Sequence, residues 1–183
     1  MRPPHPGESL FATSPRHHRL RLFTGLSALL VVLADQASKW WAESSLELFE
    51  YHPVIGDLLG WRLVYNPGAA FGMAAEFTWA LTILAGIAVI ALTVYGFTNR
   101  VPSIAIGIAA LLGGAISHLG DRLFRDPGFA VGHIVDFIDY SGFFVGNVAD
   151  IFLVGGAIYL VIASLFHKEP TKTPDEHPAQ ENS

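Results

Sequence analysis

Long stretches with almost no charged residue constrain this fold more than any other feature of the sequence. The runs Phe77–Phe97 and Val101–Gly120 carry no charge, and Tyr140–His167 is interrupted only by Asp150. A helix that crosses a bilayer needs about 20 mostly apolar residues, and each run reaches that length. A soluble all-α protein with buried helices is the alternative, but its helices would carry a polar stripe. Phe77–Phe97 has no polar stripe of that width, so the runs predict membrane-spanning helices.

A less regular apolar segment lies near the N-terminus. Leu22–Ala34 reaches spanning length only if Asp35 and Lys39 are counted inside the helix, which then ends near Trp41. A basic stretch followed by an apolar one also describes a cleaved signal peptide. We favour a retained helix because the polar residues after Ala34 have the character of a functional site. The predicted fold is therefore an all-α membrane protein with four transmembrane helices, at about residues 20–41, 77–97, 101–119 and 148–166.

The distribution of basic residues predicts the orientation of these helices. Seven of them fall at one end of the four spans: Arg2, Arg16, Arg19, Arg21, Arg100, Lys168 and Lys172. Lys and Arg mark cytoplasmic loops, so both termini are expected in the cytoplasm, as disordered tails over residues 1–19 and 167–183 around a domain of residues 20–166. The loops at about 42–76 and 120–146 then face outward. Strand-like pieces within Leu46–Tyr65, closed by a turn at Asn66-Pro67-Gly68, predict a small extracytoplasmic β element.

Composition excludes several classes of protein. The chain is 51% hydrophobic and 15% charged, against about 25% charged residues in an ordinary soluble domain, which excludes a disordered chain. The net charge of −5 leaves no basic excess for binding nucleic acid. Because there is no cysteine, thiol catalysis, disulfides and cysteine-ligated metals are impossible. Carboxylates remain as the candidates for catalysis.

Two carboxylates in apolar surroundings are the first candidates. Asp136 lies between Val135 and Phe137, and Asp150 begins the last span. Burial raises the pKa of a carboxyl group, and a second carboxylate nearby raises one pKa further. Such a pair can share one proton, so that one member deprotonates a water molecule while the other protonates a carbonyl oxygen. The structural alternative is that each Asp caps a helix or pairs with Arg122.

Other polar residues fall at the same ends of the helices. Asp35 and Lys39 are spaced i, i+4 in the order that favours a helical ion pair, which is an alternative to a direct role in the site. Gly68 lies in a turn followed by small residues, where a ligand or backbone can approach closely. Asn147 can hold a neighbouring carboxylate, cap a helix, or do both.

A metal site is a weaker alternative. His118 and His133 could join Asp136 and Asp150 as nitrogen and oxygen ligands. No H-E-x-x-H motif occurs in the sequence, and the ligand spacing matches no motif that we can justify. We therefore predict neither a metal nor another cofactor.

Five segments, in this order and spacing, together resemble one family. They are Asp35-Gln36-Ala37-Ser38-Lys39, Asn66-Pro67-Gly68-Ala69-Ala70-Phe71-Gly72, Gly113-Gly114-Ala115-Ile116 running to Asp121-Arg122, Val135-Asp136-Phe137-Ile138, and Asn147-Val148-Ala149-Asp150. The family is the lipoprotein signal peptidases (signal peptidase II), bacterial inner-membrane aspartic proteases. The resemblance covers about residues 20–166.

The resemblance implies an activity and a set of site residues. Such enzymes remove the signal peptide from diacylglyceryl-modified prolipoproteins, just before the lipidated cysteine, in contact with membrane lipid at the outer face. Asp136 and Asp150 match the catalytic pair. The positions expected to support the site or hold substrate are Asp35, Lys39, Asn66, Gly68, His118, Arg122 and Asn147. A monomer is expected. A divergent or inactive paralogue that binds lipoproteins, or a small lipid- or ion-binding membrane protein, are the alternatives.

One position departs from the family pattern. The family usually has G-N-x-x-D-R, whereas this chain has His118 where the Asn is expected, one helical turn before Arg122. A neutral His can donate one hydrogen bond and accept another, as the Asn does. A protonated His would favour ionised carboxylates and disturb a shared proton. The departure therefore predicts weaker activity at mildly acidic pH than in relatives with Asn.

Overall fold

The structure is a computed structural model that describes residues 15–69 and 72–166. The remaining parts of the predicted tails, together with Ala70 and Phe71, lie outside the described residues. Within the described ranges the chain is mostly helical. The helices are α1 (Pro15–Ser45), α2 (Thr78–Thr98), α3 (Pro102–Phe124) and α4 (Val148–Phe166), and a 3₁₀ turn, Ala75–Phe77, precedes α2. The strands are β1 (His52–Ile55), β2 (Leu59–Asn66), β3 (Ile134–Tyr140) and β4 (Phe144–Gly146).

All four of these helices are long and apolar enough to cross a membrane. Much of their apolar surface is left uncovered by the rest of the chain. Leu30 of α1, Ile90 of α2 and Val161 of α4, for example, are each at least 60% exposed. A soluble protein rarely exposes so much continuous apolar surface, whereas lipid would cover it. The helices agree with the four predicted spans.

Helices α1 and α3 extend beyond their predicted ends. Within the described residues, helix α1 already includes Pro15, so residues 15–19, which were expected to be unstructured, are helical. Helix α3 continues past the uncharged run to Phe124. The helix can continue because Asp121 pairs with Lys39 of α1 and Arg122 donates hydrogen bonds to backbone carbonyl oxygens such as that of Pro67.

Helix α3 lies at the centre of the bundle and contacts the other three helices. Two adjacent glycines let it approach its neighbours closely. A β-carbon on Gly113 would lie 2.7 Å from the carbonyl oxygen of Ala28 in α1, and one on Gly114 would lie 2.7 Å from Cγ of Leu153 in α4. Side chains at these positions would therefore separate the helices. The glycine pair lets the middle of α1 and the start of α4 approach the same part of α3.

The β element is larger than predicted. The four strands form one antiparallel sheet in the order β1-β2-β3-β4, so the all-α description is corrected to a mostly helical fold with a sheet. Strand β3 comes from a segment that we interpreted as loop, because Asp136 and Asp139 interrupt its apolar pattern. Its β-branched and aromatic residues favour a strand. Asp136 therefore lies on a strand, opposite Val64 of β2.

The sheet packs on the end of α1. Its core consists of Ala42, Leu63, Val135, Phe137 and Ile138. Around this core the ring of Trp41 makes edge contacts with Trp61 and Phe137, at centroid distances of 5.4 and 6.0 Å. Neighbouring residues on a strand face opposite sides. Asp136 therefore faces away from the side occupied by Val135 and Phe137.

Candidate active site

A cavity of about 290 Å³ lies between α2, α3 and α4, next to the sheet. Its polar lining includes Asn66, His118, Arg122, Asp136 and Asp150. Its apolar lining includes Leu81, Leu84, Ala85 and Ala88 of α2 and Leu153 of α4. Every one of these polar residues is among the site residues predicted from the sequence. The cavity thus joins a small polar end to an apolar wall built from membrane-spanning helices.

The start of α4 fixes Asp150 through a reciprocal capping box. The side-chain oxygen of Asn147 accepts the Asp150 N–H at 3.0 Å, and the Asp150 carboxylate accepts the Asn147 N–H at 2.9 Å. This exchange satisfies two backbone donors at the helix start. The first turn of a helix also favours a negative charge. The capping interpretation of both residues is therefore correct, and it leaves the other side of the Asp150 carboxylate facing the cavity.

Asn147 also reaches the second carboxylate. Its side-chain nitrogen donates to Asp136 at 2.6 Å, and Asn66 donates to the other oxygen of Asp136 at 2.9 Å. Asn147 therefore contacts both carboxylates at once. The pKa of Asp136 is raised to about 7, mainly by burial and also by the charge of Asp150, although the hydrogen bonds from the two amides lower it. At neutral pH Asp136 can therefore hold or release a proton.

The ion pair of Asp35 and Lys39 is completely buried and joins three helices. Lys39 Nζ lies 2.5 Å from Asp35 and 2.7 Å from Asp121 of α3. Asp35 also accepts the N–H of Ala149 at 2.8 Å, a donor in the first turn of α4. The pair thus touches the start of the helix that carries Asp150. The structure favours a supporting role for the pair, because neither residue lines the cavity.

Arg122 binds the chain's own backbone. Its guanidinium donates to the carbonyl oxygens of Asn66, Pro67 and Gly132 at 2.8 to 3.2 Å, and also to that of Gly68. Among the described residues it forms no salt bridge with Asp136 or Asp150. The alternative in which these carboxylates pair with Arg122 is therefore wrong. Arg122 holds the turn from which Asn66 reaches the strand β3 carboxylate.

His118 lies beside the first turn of α4. Its Nε2 is 3.2 Å from the side-chain oxygen of Asn147 and 3.5 Å from the Asp150 carboxylate. It therefore occupies the position at which the family pattern has an amide. His133 lines a different cavity with Arg125, so the four residues of the metal alternative are not brought together.

The sequence-based prediction of the site did not include three residues around the Asp35–Lys39 pair: Ser117, Asp121 and Arg125. Together with that pair they form a buried charge network. Asp121 is fully buried between Lys39 and Arg125, whose Nε lies 2.8 Å away, and it also accepts a hydrogen bond from Gln36 at 2.9 Å. Ser117 donates to Asp35 at 2.6 Å. Asp121 and Arg125 have the same i, i+4 spacing, acid first, that identified Asp35 and Lys39. This spacing is therefore the sequence feature from which Asp121 and Arg125 could have been predicted as a second ion pair.

Comparison with known proteins agrees with this geometry. The sequence model of the Signal peptidase (SPase) II family matches residues 27–166. The chain is 43% identical to a lipoprotein signal peptidase of Rhodococcus jostii (strain RHA1), with 87% of this chain and 80% of that protein covered. It is 42% identical to a lipoprotein signal peptidase of Mycobacterium avium (strain 104), with 88% and 90% covered.

A solved structure shares the fold as well. The chain superposes on a bacterial membrane enzyme solved by the in meso method at 2.3 Å resolution, with a TM-score of 0.69 and 28% identity over 78% of this chain and 87% of that one. The family model covers most of the described helices, and the matches to the two relatives extend over 80% and 90% of their lengths. The resemblance noted from the five segments is confirmed: this chain belongs to the signal peptidase II family.

Proposed function

We propose that this chain is an intramembrane aspartic endopeptidase that cuts diacylglyceryl-modified prolipoproteins just before the lipidated cysteine. One observation carries the proposal. Asp136 and Asp150 line one cavity whose remaining wall is largely apolar, and both carboxylates accept hydrogen bonds from Asn147, Asp136 from its side-chain amide and Asp150 from its backbone N–H. Asn147 thus keeps the two carboxylates close together in surroundings that favour one proton between them.

The two carboxylates have different roles in this mechanism. Asp136 is only 3% exposed, and burial raises its pKa to about 7, so it holds the proton and donates it to the scissile carbonyl oxygen. Asp150 is 25% exposed and lies at a helix start that favours its charge. It takes a proton from the attacking water. The protein supplies both groups from its own chain, which is consistent with a functional monomer.

The apolar wall of the cavity explains the preference for a lipidated substrate. Leu84, Ala85 and Leu153 belong to membrane-spanning helices, so the cavity can receive a substrate from within the bilayer while its acyl chains stay in lipid. The site lies at the opposite end of the helices from Arg16, Arg19 and Arg100. By the positive-inside rule, the site is then at the outer face of a bacterial inner membrane and both termini are cytoplasmic.

The lipid- or ion-carrier alternative has no support. A carrier needs polar groups along a path through the bilayer. Within the described residues, the buried charged groups all lie at one end of the bundle or in the sheet: Asp35, Lys39, Asp121, Arg122, Asp136 and Asp139.

The proposed activity is tested with a matched pair of precursors. One carries a diacylglyceryl group on the cysteine and the other has the same sequence without lipid. The purified chain in detergent should cut the first, and mass spectrometry should place the new N-terminus at the modified cysteine. Absence of cleavage, or equal cleavage of both precursors, would contradict the proposal.

The effect of Arg122→Lys tests whether the guanidinium positions the turn at Asn66. An ammonium group cannot reach the carbonyl oxygens of Asn66, Pro67, Gly68 and Gly132 together. The turn should shift and release Asp136, and misplacement by about 1 Å costs on the order of a hundredfold in rate. We expect kcat to fall roughly 10- to 100-fold with a smaller change in KM.

The matched control for that change is Arg62→Lys in β2, whose side chain pairs with Asp139 outside the cavity. Its kcat should stay close to that of the wild type. Equal losses in both variants would mean that Arg122 acts only through general stability.

The pH dependence of cleavage tests the role of His118. A protonated His118, 3.5 Å from Asp150, would hold that carboxylate in its charged form and so oppose its uptake of a proton from water. Wild-type activity should therefore fall on the acid side, and His118→Asn should lose less activity there. Above pH 7 both proteins should decline together, because the pKa of Asp136 is about 7 and its proton is lost in both. If the wild type and His118→Asn lost the same activity on the acid side of the pH profile, the proposed role of His118 would be wrong.

A further inference from the structure

A second concave surface lies at the end of the bundle opposite the candidate active site. Arg16 and Arg19 of α1, together with Arg100 between α2 and α3, line a cavity of about 510 Å³, which we call the basic pocket. All three side chains are exposed. Within residues 15–69 and 72–166 none of them forms a salt bridge. Converging guanidinium groups without carboxylate partners favour a phosphate group, which offers them several oxygen acceptors.

The basic pocket has a fixed frame. Arg21 differs from the other three arginines because its Nε donates to the carbonyl oxygen of Phe97 at 2.7 Å. This bond ties α1 to the end of α2, directly before the segment that carries Arg100. Arg16 and Arg19 of α1 and Arg100 of the turn between α2 and α3 thus line one opening.

An apolar groove begins where the basic pocket ends. Phe23 lines both, and the groove has a volume of about 500 Å³. Its other lining residues include Ser27, Leu30 and Ala34 of α1, Ala109 and Ala110 of α3, and Phe152 of α4. From Phe23 to Ala34 the helix rises about 17 Å, which is close to half of the roughly 30 Å hydrocarbon core of a bilayer. The groove therefore has the length of an acyl chain in one leaflet.

This surface is separate from the catalytic cavity. The two share no lining residue, and the groove runs between α1, α3 and α4 whereas the cavity lies between α2, α3 and α4. Substrate bound near Asp136 and Asp150 would leave the groove free.

We propose that the basic pocket and the apolar groove together bind one anionic phospholipid. Its phosphate contacts Arg16, Arg19 and Arg100, and an acyl chain follows the groove along α1. The basic pocket matches the headgroup phosphate of such a lipid, and the apolar groove matches its acyl chain. A soluble phosphate compound could occupy the basic pocket but would leave the groove empty. This lipid is distinct from the substrate and binds whether or not the chain cleaves precursors.

The experiment measures lipid retention by native mass spectrometry of the purified chain, without substrate. Phosphatidylglycerol, phosphatidylcholine and inorganic phosphate are added separately in detergent. One phosphatidylglycerol should bind, and phosphatidylcholine and phosphate should bind much more weakly. Arg19→Gln and Arg100→Gln should each weaken phosphatidylglycerol binding roughly fivefold, while Arg19→Lys and Arg100→Lys should keep most of it. Equal binding of the two lipids, or unchanged binding in both Gln variants, would overturn the proposal.

The groove is tested separately from the basic pocket. Ser27→Trp should fill the groove and weaken phosphatidylglycerol binding without changing the response to phosphate. Leu29→Trp is the matched control, because Leu29 is 51% exposed and does not line the groove. If phosphate alone bound as strongly as the lipid and Ser27→Trp had no effect, the pocket would be an anion site and the phospholipid proposal would be wrong. None of these measurements depends on cleavage, so their failure is distinct from failure of the proposed protease activity.

Discussion

Asp136→Asn and Asp150→Asn should each lower kcat for a lipidated precursor by at least about a thousandfold. Proton transfer by a positioned group contributes on the order of 10² to 10⁴ in rate, and an amide can neither donate the shared proton to the substrate nor accept one from water. Both substitutions preserve size, although Asp136→Asn replaces one of the two oxygens that accept hydrogen bonds from Asn66 and Asn147. Single-turnover cleavage measured by mass spectrometry would check the effect. If either variant retained a tenth of the wild-type rate, the result would contradict the two-carboxylate mechanism.

Asp139→Asn is the matched control for this prediction. Asp139 is also fully buried in β3, but it pairs with Arg62 and accepts the N–H of Gly142, away from the cavity. Its kcat should stay within a few fold of that of the wild type.

Thermal unfolding separates loss of chemistry from loss of folding. Because the pKa of Asp136 is raised to about 7 by burial, its ionisation opposes folding progressively as the pH rises from about 4 to 7. Asp136→Asn removes that cost. Its Tm should therefore equal or exceed that of the wild type at pH 8, even though the variant is inactive.

Lys39→Met should destabilise the protein by about 3 to 5 kcal/mol, the usual cost of leaving a buried charge without its partner. Both carboxylates around Lys39, those of Asp35 and Asp121, are completely buried. Asp121 keeps Arg125 as a partner, whereas Asp35 loses the only cation paired with it in the described part of the chain. Thermal unfolding in detergent would show a large fall in Tm, with cleavage lost at temperatures where the wild type is active.

Two further variants isolate the cause of that loss. His52→Gln breaks an exposed pair with Glu50, which should change the Tm very little because such pairs contribute about 0 to 1 kcal/mol. Adding Asp35→Asn to Lys39→Met should recover part of the stability, since an amide oxygen can still accept the N–H of Ala149. A loss below about 1 kcal/mol for Lys39→Met alone would contradict the burial argument.

The sequence predicts the helices because they depend on long apolar runs, a local property. Helices α2 and α4 lie within about a residue of their predicted positions. The family segments also identified the polar residues that line the cavity, including Asp136 and Asp150. Hydropathy and motif spacing are sufficient for these features.

The remaining features depend on contacts between distant parts of the chain. Strand β3 was missed because its two Asp residues break the apolar pattern, and their burial is possible only with Arg62, Asn66 and Asn147 beside them. The end of α3 was placed too early because the burial of Asp121 depends on Lys39, which is 82 residues away in sequence but 2.7 Å away in space. A hydropathy scale scores each charged residue as unfavourable in a membrane, whether or not a counter-ion lies beside it in the fold.

The buried charge network also bears on how the chain enters the membrane. Helix α1 is synthesised before α3, so Lys39 must enter the bilayer before Asp121 exists. Its other partner, Asp35, lies one turn away in the same helix. Asp121 likewise has a partner, Arg125, four residues later in the chain. A bare charge at the centre of a spanning helix costs about 2.5 to 3.5 kcal/mol during insertion. Lys39 and Asp121 instead each have a counter-ion four residues away in their own segment, so both are already paired when α1 and α3 meet.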